Sequence, residues 1–242
     1  MLDPRKGIIN KRLGRVKRII AISSGKGGVG KSLVASTLAL TLARKGFEVG
    51  LFDADFTSPS THLILGVKGA KPKEERGIIP AQVHGLKYSS IVAYSKEKAL
   101  PLRGADVSNA LMELFAATVW GRLDFLIVDM PPGISDATLD VIRLVKGINF
   151  LIVTTPSPLA FETVKKLLEL LAELKVPVIG VVENMKIKES KFIFQSVTNA
   201  GFRFLGDLPF DPTVEESLGD VDALLKTDFA KRLAEVASKS LP

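Results

Sequence analysis

The sequence predicts a doubly wound α/β fold, in which a mostly parallel sheet carries helices on both faces. Apolar strand patterns alternate with helical patterns along the chain, as in successive βαβ units. The run from Asp124 to Asp129 is almost continuously apolar, which is typical of a central parallel strand buried on both faces. A glycine-rich segment separates the first strand from the first long helix. Right-handed crossovers bring the carboxyl ends of the strands to one edge, where we expect the ligand.

The composition is that of a globular protein without thiol chemistry. The 242 residues are 46% hydrophobic and 24% charged, and none is cysteine. The chain can therefore bury one sizeable core, while disulfides, thiolate metal sites and thiol nucleophiles are excluded. No apolar run reaches the roughly 18 residues of a membrane span, and the basic N-terminus lacks the apolar region of a secretory signal. We therefore expect a cytoplasmic protein.

The formal net charge of +7 is concentrated at the N-terminus. The first 18 residues carry seven Lys or Arg residues and one Asp, a net charge of 7 − 1 = +6. We therefore divide the chain into a basic arm, residues 1–17, and one domain, residues 18–242. Ile9, Leu13 and Val16 stand at helical spacing, so the arm is either a short amphipathic docking helix or a solvated tail.

Periodicity and turn residues give the approximate element boundaries. The predicted strands lie near 18–23, 48–53, 86–92, 124–129, 149–154, 176–182 and 202–206. The predicted helices lie near 32–45, 107–120, 136–146, 159–174 and 227–239. Ser60 is expected to cap a further short helix. The polar segments 66–80 and 95–104 are expected to be exposed.

A phosphate-binding loop is encoded directly after the first strand. The pattern G-x-x-x-x-G-K-[ST] is matched without a mismatch by Gly25-Lys26-Gly27-Gly28-Val29-Gly30-Lys31-Ser32. The glycines let backbone N–H groups surround phosphates, Lys31 can reach the β and γ oxygens, and the Ser32 hydroxyl can bind Mg²⁺. A plain glycine-rich turn would not need the Lys-Ser pair. Lys26 is additional, because the general motif does not require it.

Three aspartates are candidates for magnesium binding and water activation. If its strand neighbours the loop, Asp129 is the Walker B ligand for Mg²⁺. Asp53 ends the second strand and is the other metal candidate, and Asp55 on the following loop is the candidate for orienting the attacking water. Loop capping is the alternative for Asp53 and Asp55, but their place after the second strand of a nucleotide fold favours the catalytic interpretation.

Two further positions concern the nucleotide. Gly133 offers an N–H at a place where a γ-phosphate would be sensed. Asn184 follows the predicted strand 176–182 and could read adenine through its amide. No N-K-x-D sequence follows that strand, so ATP is favoured over GTP.

The loop resembles the deviant Walker A sequence of the MinD, ParA and Mrp ATPases, and the resemblance covers nearly the whole chain after residue 17. The similarity to the Mrp branch is carried by 119–121, 129–133, 154–156, 180–185 and 204–206.

This resemblance implies a P-loop NTPase fold, an ATPase that uses ATP and Mg²⁺, and a homodimer bridged by ATP. It also implies roles for particular residues. Lys26 would reach the phosphates of the facing subunit, Asp55 would activate water, and Asp129 would be the Walker B acid. Asn184 and the segment from Pro209 to Asp211 would surround adenine.

One departure from the Mrp pattern bears on function. Mrp carriers place C-x-x-C shortly after the position that matches Glu183 to Met185, but residues 186–200 contain no cysteine. We therefore favour a nucleotide-driven switch in metallocentre maturation that holds no cluster. Such a protein resembles the archaeal ATPase-type HypB, which delivers nickel to [NiFe] hydrogenase with a HypA-type partner.

Two other function classes stay open. One is a ParA- or MinD-like partitioning or positioning ATPase on DNA or membrane, although nucleic acid is not a favoured partner of this chain. Against a membrane anchor, the predicted helix with Phe229, Leu233 and Val236 is better interpreted as a packing helix. The other class is a degenerate Mrp-type iron–sulfur scaffold. His62 and His84 are too few and too scattered to indicate a metal site.

Overall fold

The computed structural model describes residues 3–69, 71–95 and 105–241, which form strands and helices in alternation. The strands are β1 (Val16–Ser24), β2 (Val49–Asp53), β3 (Lys73–Glu74), β4 (Ile78–Ile79), β5 (Ala81–Val83), β6 (Leu86–Ser90), β7 (Leu123–Asp129), β8 (Ile148–Thr154), β9 (Val178–Lys186) and β10 (Phe204–Pro209). The helices are α1 (Arg5–Leu13), α2 (Lys31–Arg44), α3 (Thr61–Ile64), α4 (Val92–Ser95), α5 (Ala105–Ala117), α6 (Asp136–Leu144), α7 (Pro158–Glu173), α8 (Phe192–Asn199), α9 (Thr213–Glu216), α10 (Val221–Leu224) and α11 (Asp228–Ser240).

Within these ranges the main sheet has eight strands in the order β10-β9-β8-β1-β7-β2-β6-β5. Neighbouring strands are parallel except β5 and β6, which are antiparallel. The predicted doubly wound fold is therefore confirmed. β1 lies between β7 and β8, so its carboxyl end opens at the centre of the sheet edge, where open α/β sheets bind ligands.

Both faces of the sheet are covered by helices. Alternate side chains of each strand point to opposite faces, so the central strands contribute to two core clusters. In β1, Ile19 and Ala21 join a core cluster with α1, α5, α6, α7 and α8, whereas Ile20 and Ile22 join a cluster with α2, α3, α10 and α11. This double burial explains why the central strands read as nearly continuous apolar runs.

Helix α1 is docked on the sheet-covering helices. Ile9 and Leu13 are 0% and 4% exposed, and they join the core cluster that contains α5 and α6. The Asn10 amide donates to the carbonyl of Leu144 at 2.9 Å and accepts the Lys146 N–H at 2.9 Å. The amphipathic helix is thus observed in contact with the rest of the chain. The division after residue 17 remains a prediction, and β1 already begins at Val16.

Some element boundaries and some short elements differ from the sequence prediction. β9 continues to Lys186, beyond the predicted end at residue 182, because its last residues still pair with β8 and β10. The segment 66–80 was expected only to be exposed, but it contains the β3–β4 hairpin, whose Ile78 and Ile79 are half-buried. Helix α8 was not predicted. The expected exposed link 95–104 lies, apart from residue 95, outside the described residues.

Helix α11 is a packing helix, as the sequence predicts. Its Phe229, Leu233 and Val236 side chains are 2%, 1% and 3% exposed, against α2 and the sheet. Across the described ranges, no helix combines the length and the apolar character needed to cross a bilayer.

Candidate functional site

The phosphate-binding loop joins β1 to α2 and is shaped by close backbone approaches. Gly30 has a φ of +81°, and a Cβ there would lie 2.3 Å from the Asn184 amide nitrogen. A Cβ on Gly25 would lie 2.5 Å from the backbone nitrogen of Val164 in α7. Only glycine fits these two places, so the sequence of the loop is set by its close contacts with Asn184 and α7. Lys26 is exposed and lines the cleft beside the loop.

Lys31 lies among carboxylates at the start of α2 and is 6% exposed. Its Nζ donates to Asp129 Oδ1 at 2.6 Å and to the Ser32 hydroxyl at 3.3 Å. Asp55 Oδ2 lies 3.7 Å from the same Nζ. Asp129 is opposite Ile22 in the pairing of β7 with β1, so the sheet brings the end of β7 beside the loop, as predicted for neighbouring strands.

Asp53 lies opposite Asp129 in the sheet register, and both of its oxygens accept hydrogen bonds. Oδ1 accepts the Asp55 N–H at 3.2 Å, whereas Oδ2 accepts the Thr61 hydroxyl at 2.6 Å and the Thr61 N–H at 3.3 Å. Burial, followed by repulsion from Asp129, raises the pKa of Asp53 to about 7. Ser60 stands at the N-cap of α3, but within the described residues its side chain makes no capping bond. The predicted Ser60 side-chain cap is therefore wrong, and the Asp53 carboxylate instead satisfies one N–H of the first turn, that of Thr61.

Asp129 differs from Asp53 in having an oxygen available for a cation. Asp129 is 0% exposed, and among the described residues its Oδ2 has no hydrogen-bond partner. Burial raises the pKa of Asp129, and the nearby Lys31 charge opposes that rise. A buried carboxylate oxygen without a partner is costly, and a hydroxyl beside it supplies a second oxygen ligand, so Asp129 and Ser32 fit Mg²⁺.

The protein groups alone do not form a complete cation site. In the described ranges, no group of three or more His, Cys, Asp or Glu residues is arranged to hold a metal ion. Mg²⁺ in nucleotide sites takes one or two carboxylates and completes its shell with phosphates and water, so this limited donor set fits a cation that arrives with a nucleotide. His84 Nε2 lies 2.9 Å from the carbonyl oxygen of Leu65.

A cleft of about 490 Å³ opens beside the loop. It is lined by loop residues, by Asp55, Ser58, Ser60 and Pro132, and by Val214, Glu215 and Leu218. The last three residues belong to the α9 region, which the sequence did not connect with the site. Gly133 does not offer a free N–H as expected, because that N–H donates to the Ser24 carbonyl at 2.8 Å.

The predicted adenine residues occupy different surroundings. Asn184 is 2% exposed, and its amide donates to the Val29 carbonyl at 2.9 Å, so it supports the loop. Pro209 lines a second cavity of about 450 Å³ with Lys186 and Arg232. Asp211 accepts the Thr213 hydroxyl at 2.6 Å and the Asp228 N–H at 2.9 Å, and the Thr213 bond lowers the pKa of Asp211. Adenine binding by these residues remains a proposal.

Comparison with known proteins identifies the family. Residues 15–240 match the model of the ParA family, described as the NUBPL iron-transfer P-loop NTPase. This chain belongs to that family. Members of this family are P-loop ATPases, so the predicted enzyme class is confirmed. The predicted cofactors, ATP and Mg²⁺, are also those of the family.

Two curated relatives carry iron–sulfur names. The "Iron-sulfur cluster carrier protein" of Aquifex aeolicus is 40% identical over 222 residues, which are 85% of this chain and 61% of that protein. The chloroplastic "Fe-S cluster assembly factor HCF101" of Arabidopsis thaliana is 39% identical over 218 residues, 85% of this chain and 41% of that protein. The chain therefore spans about three-fifths or less of the length of these relatives.

Two solved structures share the fold. A nucleotide-binding protein from Archaeoglobus fulgidus in complex with ADP has a TM-score of 0.75 and 30% identity, with 91% of this chain and 93% of that chain covered. The septum site-determining protein MinD of Pyrococcus horikoshii, complexed with Mg-ADP, has a TM-score of 0.65 and 22% identity, with 92% and 95% covered. The MinD likeness concerns the fold alone.

These relatives favour the iron–sulfur function over the nickel function that the sequence favours. The sequence favours nickel delivery with a HypA-type partner, but the two curated relatives carry iron–sulfur names. Nickel and a HypA-type partner therefore have no support, and the iron–sulfur alternative fits better. The ATPase switch is common to the whole family.

Proposed function

We propose that this chain is an ATP-driven dimerisation switch that acts in iron–sulfur cluster assembly. The observation that carries the ATPase part is the grouping of Lys31, Asp55 and Asp129 beside the loop, with Lys31 Nζ 2.6 Å from Asp129 and 3.7 Å from Asp55. The names of the relatives support the iron–sulfur part. Because the sequence contains no cysteine, the thiolates that hold a cluster come from outside residues 1–242.

Nucleotide binding exchanges the partners of Lys31. Without nucleotide, Lys31 neutralises Asp129 and Asp55. The β and γ oxygens of ATP compete for Lys31 Nζ, and Asp129 is then released to act with Ser32 as a cation ligand. Bound Mg²⁺ supplies charge neutralisation at the phosphates.

Asp55 orients and polarises the attacking water. Its Oδ1 already accepts the Thr57 hydroxyl at 2.8 Å and the Ser58 N–H at 3.1 Å. The other oxygen, Oδ2, lies on the Lys31 side, so it is the one that accepts a hydrogen bond from water.

Lys26 joins two copies of the chain. Its side chain is exposed at the mouth of the loop and lines the cleft, where a second lysine would repel Lys31 unless an anion lies within reach. The triphosphate of a facing subunit supplies that anion. ATP then favours the dimer by its differential affinity, and hydrolysis releases the pair.

Anaerobic co-purification from the native cells tests the cluster part of this proposal. Tagged Asp55→Ala, expected to hold ATP, is compared with tagged Lys31→Ala, expected to lose it, and each eluate is assayed for iron, acid-labile sulfide, nickel and nucleic acid. We expect iron and sulfide in comparable amounts, on a cysteine-containing partner and only with Asp55→Ala. Nickel without sulfide would contradict the proposal and favour the hydrogenase alternative, and nucleic acid without iron would favour partitioning.

A further inference from the structure

A buried chain of three side chains lies behind the loop that carries Asp55. The Tyr88 hydroxyl in β6 lies 2.9 Å from the Thr61 hydroxyl, which donates to Asp53 Oδ2 at 2.6 Å. Because Thr61 donates its proton to Asp53, Tyr88 is the donor in the first bond. The exposed fractions of Asp53, Thr61 and Tyr88 are 0%, 0% and 5%. We call this arrangement the Asp53–Thr61–Tyr88 chain.

The Asp53–Thr61–Tyr88 chain holds both ends of the loop that runs from Asp55 to Thr61. Asp53 Oδ1 accepts the N–H of Asp55 at the start of the loop, and Oδ2 accepts the N–H and hydroxyl of Thr61 at its end. One carboxylate thus holds two points of the backbone that are six residues apart. Tyr88 contacts Thr61, the hydrogen-bond partner of Asp53, from the neighbouring strand β6. Strand β6 pairs with β2, and Leu51 of β2 lies opposite Tyr88.

The fixed loop in turn fixes the side chain of Asp55. Within the loop, Asp55 Oδ1 is held by Thr57 and Ser58 at 2.8 and 3.1 Å. These two bonds leave Oδ2 directed towards Lys31, at 3.7 Å. If the loop shifted, both oxygens would move relative to the cleft, and a misplacement of about 1 Å can reduce a rate by about 10²-fold.

We propose that Thr61 and Tyr88 are positioning residues for ATP hydrolysis, which hold Asp55 where it can orient the attacking water. This inference rests on the proposed role of Asp55. The inference also assigns a role to Asp53. Both of its oxygens bind the loop, so Asp53 acts on hydrolysis by fixing the position of Asp55. Thr61 and Tyr88 touch neither the phosphates nor the water in this scheme.

The test separates catalysis from binding in three variants. Thr61→Val removes the Thr61 hydroxyl, Thr61→Ser keeps a hydroxyl at that position, and Tyr88→Phe removes the Tyr88 hydroxyl and with it the bond to Thr61. For each we measure kcat, the Kd of a fluorescent ATP analogue, and the thermal midpoint. We expect kcat of Thr61→Val to fall by about 10- to 100-fold with Kd changed less than about 2-fold. Thr61→Ser should recover kcat to within about 3-fold, and Tyr88→Phe should lose about 3- to 10-fold.

Thr118→Val is the matched control. Thr118 is also 0% exposed and its hydroxyl donates to the Leu114 carbonyl at 2.6 Å, but it lies at the end of α5. This variant should lose thermal stability and keep kcat. If Thr61→Val loses only stability, as Thr118→Val does, the positioning role is wrong. If Thr61→Val does not fold, Tyr88→Phe decides, and an unchanged kcat in that variant overturns the proposal.

Asp55→Ala distinguishes failure of this inference from failure of the proposed function. If Asp55→Ala abolishes hydrolysis but Thr61→Val and Tyr88→Phe retain it, only the positioning role is wrong. If Asp55→Ala hydrolyses ATP at the normal rate, the proposed role of Asp55 is wrong, and the positioning role falls with it.

Discussion

Lys31 is surrounded by buried acids, so its charge affects stability as well as nucleotide binding. Burial raises the pKa of Asp129, and Lys31 opposes that rise. Lys31→Met would leave Asp129 as a buried carboxylate without its cation. We expect the free energy of unfolding, measured with urea in the absence of nucleotide, to fall by about 3 kcal/mol at pH 8.

The pH dependence of that loss has a definite sign. Without Lys31, the pKa of Asp129 in the folded protein rises further above its unfolded value, so the penalty is present at high pH and is relieved as the carboxylate takes up a proton. The loss should therefore be smaller at pH 5 than at pH 8. Lys45→Met, at an exposed lysine just after the same helix, should change stability by less than about 0.5 kcal/mol at both pH values. An equal loss for Lys31→Met at pH 5 and pH 8 would contradict this account.

At the residue scale, the sequence located a feature correctly where one continuous pattern of residues encodes that feature. The loop Gly25–Ser32 and the strand ending at Asp129 could be located because each is a continuous pattern of residues. The bonds of Thr61 and Tyr88 could not, because their hydroxyls meet only through the pairing of β2 with β6, and they stand 27 residues apart. Gly133 was misjudged because its partner, the Ser24 carbonyl, lies on a neighbouring strand.

At the scale of elements, α1 contributes packing in addition to charge. Ile9 is 0% exposed, whereas the adjacent Ile8 in the same helix is 51% exposed. Ile9→Ala should lower the free energy of unfolding by about 2 to 4 kcal/mol through lost burial and a residual cavity. Ile8→Ala should change it by less than about 0.5 kcal/mol. Urea unfolding of the two variants compares them directly, and equal effects would show that α1 is not docked in solution.

Element boundaries were predicted well for long periodic segments and poorly for short ones. α2 and α7 have 14 and 16 residues, and their patterns were recognisable. α8 has eight residues, with buried Ile193 and Val197 but exposed Phe192 and Phe194, so its apolar pattern does not mark one face. The cleft wall from α9 escaped detection because a four-residue helix has no periodic signal.

At the scale of the whole molecule, the absence of cysteine limits what the chain can carry. Iron–sulfur clusters are held mainly by thiolates, and this sequence supplies none. Anaerobic reconstitution of the purified chain with iron and sulfide should therefore give no stable cluster absorbance after desalting. A stoichiometric cluster on the chain alone would contradict the proposal that cluster ligands come from outside residues 1–242.

The proposed assembly cycle gives different roles to Asp55, which acts in hydrolysis, and Lys26, which acts in dimerisation. Asp55→Ala should still form the ATP-dependent dimer but should not hydrolyse ATP, because the loop and Lys26 remain intact. Lys26→Ala should bind ATP through Lys31 but lose both the dimer and hydrolysis, because the contact with the facing triphosphate is missing.

Light scattering of the unmodified protein, Lys26→Ala and Asp55→Ala with ATP and with ADP is the most direct test of the ATP-driven switch. We predict a dimer with ATP and a monomer with ADP for the unmodified protein, a persistent ATP dimer for Asp55→Ala, and a monomer with either nucleotide for Lys26→Ala. An ATP-dependent dimer of Lys26→Ala with normal turnover would contradict the account, and Lys26 would then be only a local charge on the loop.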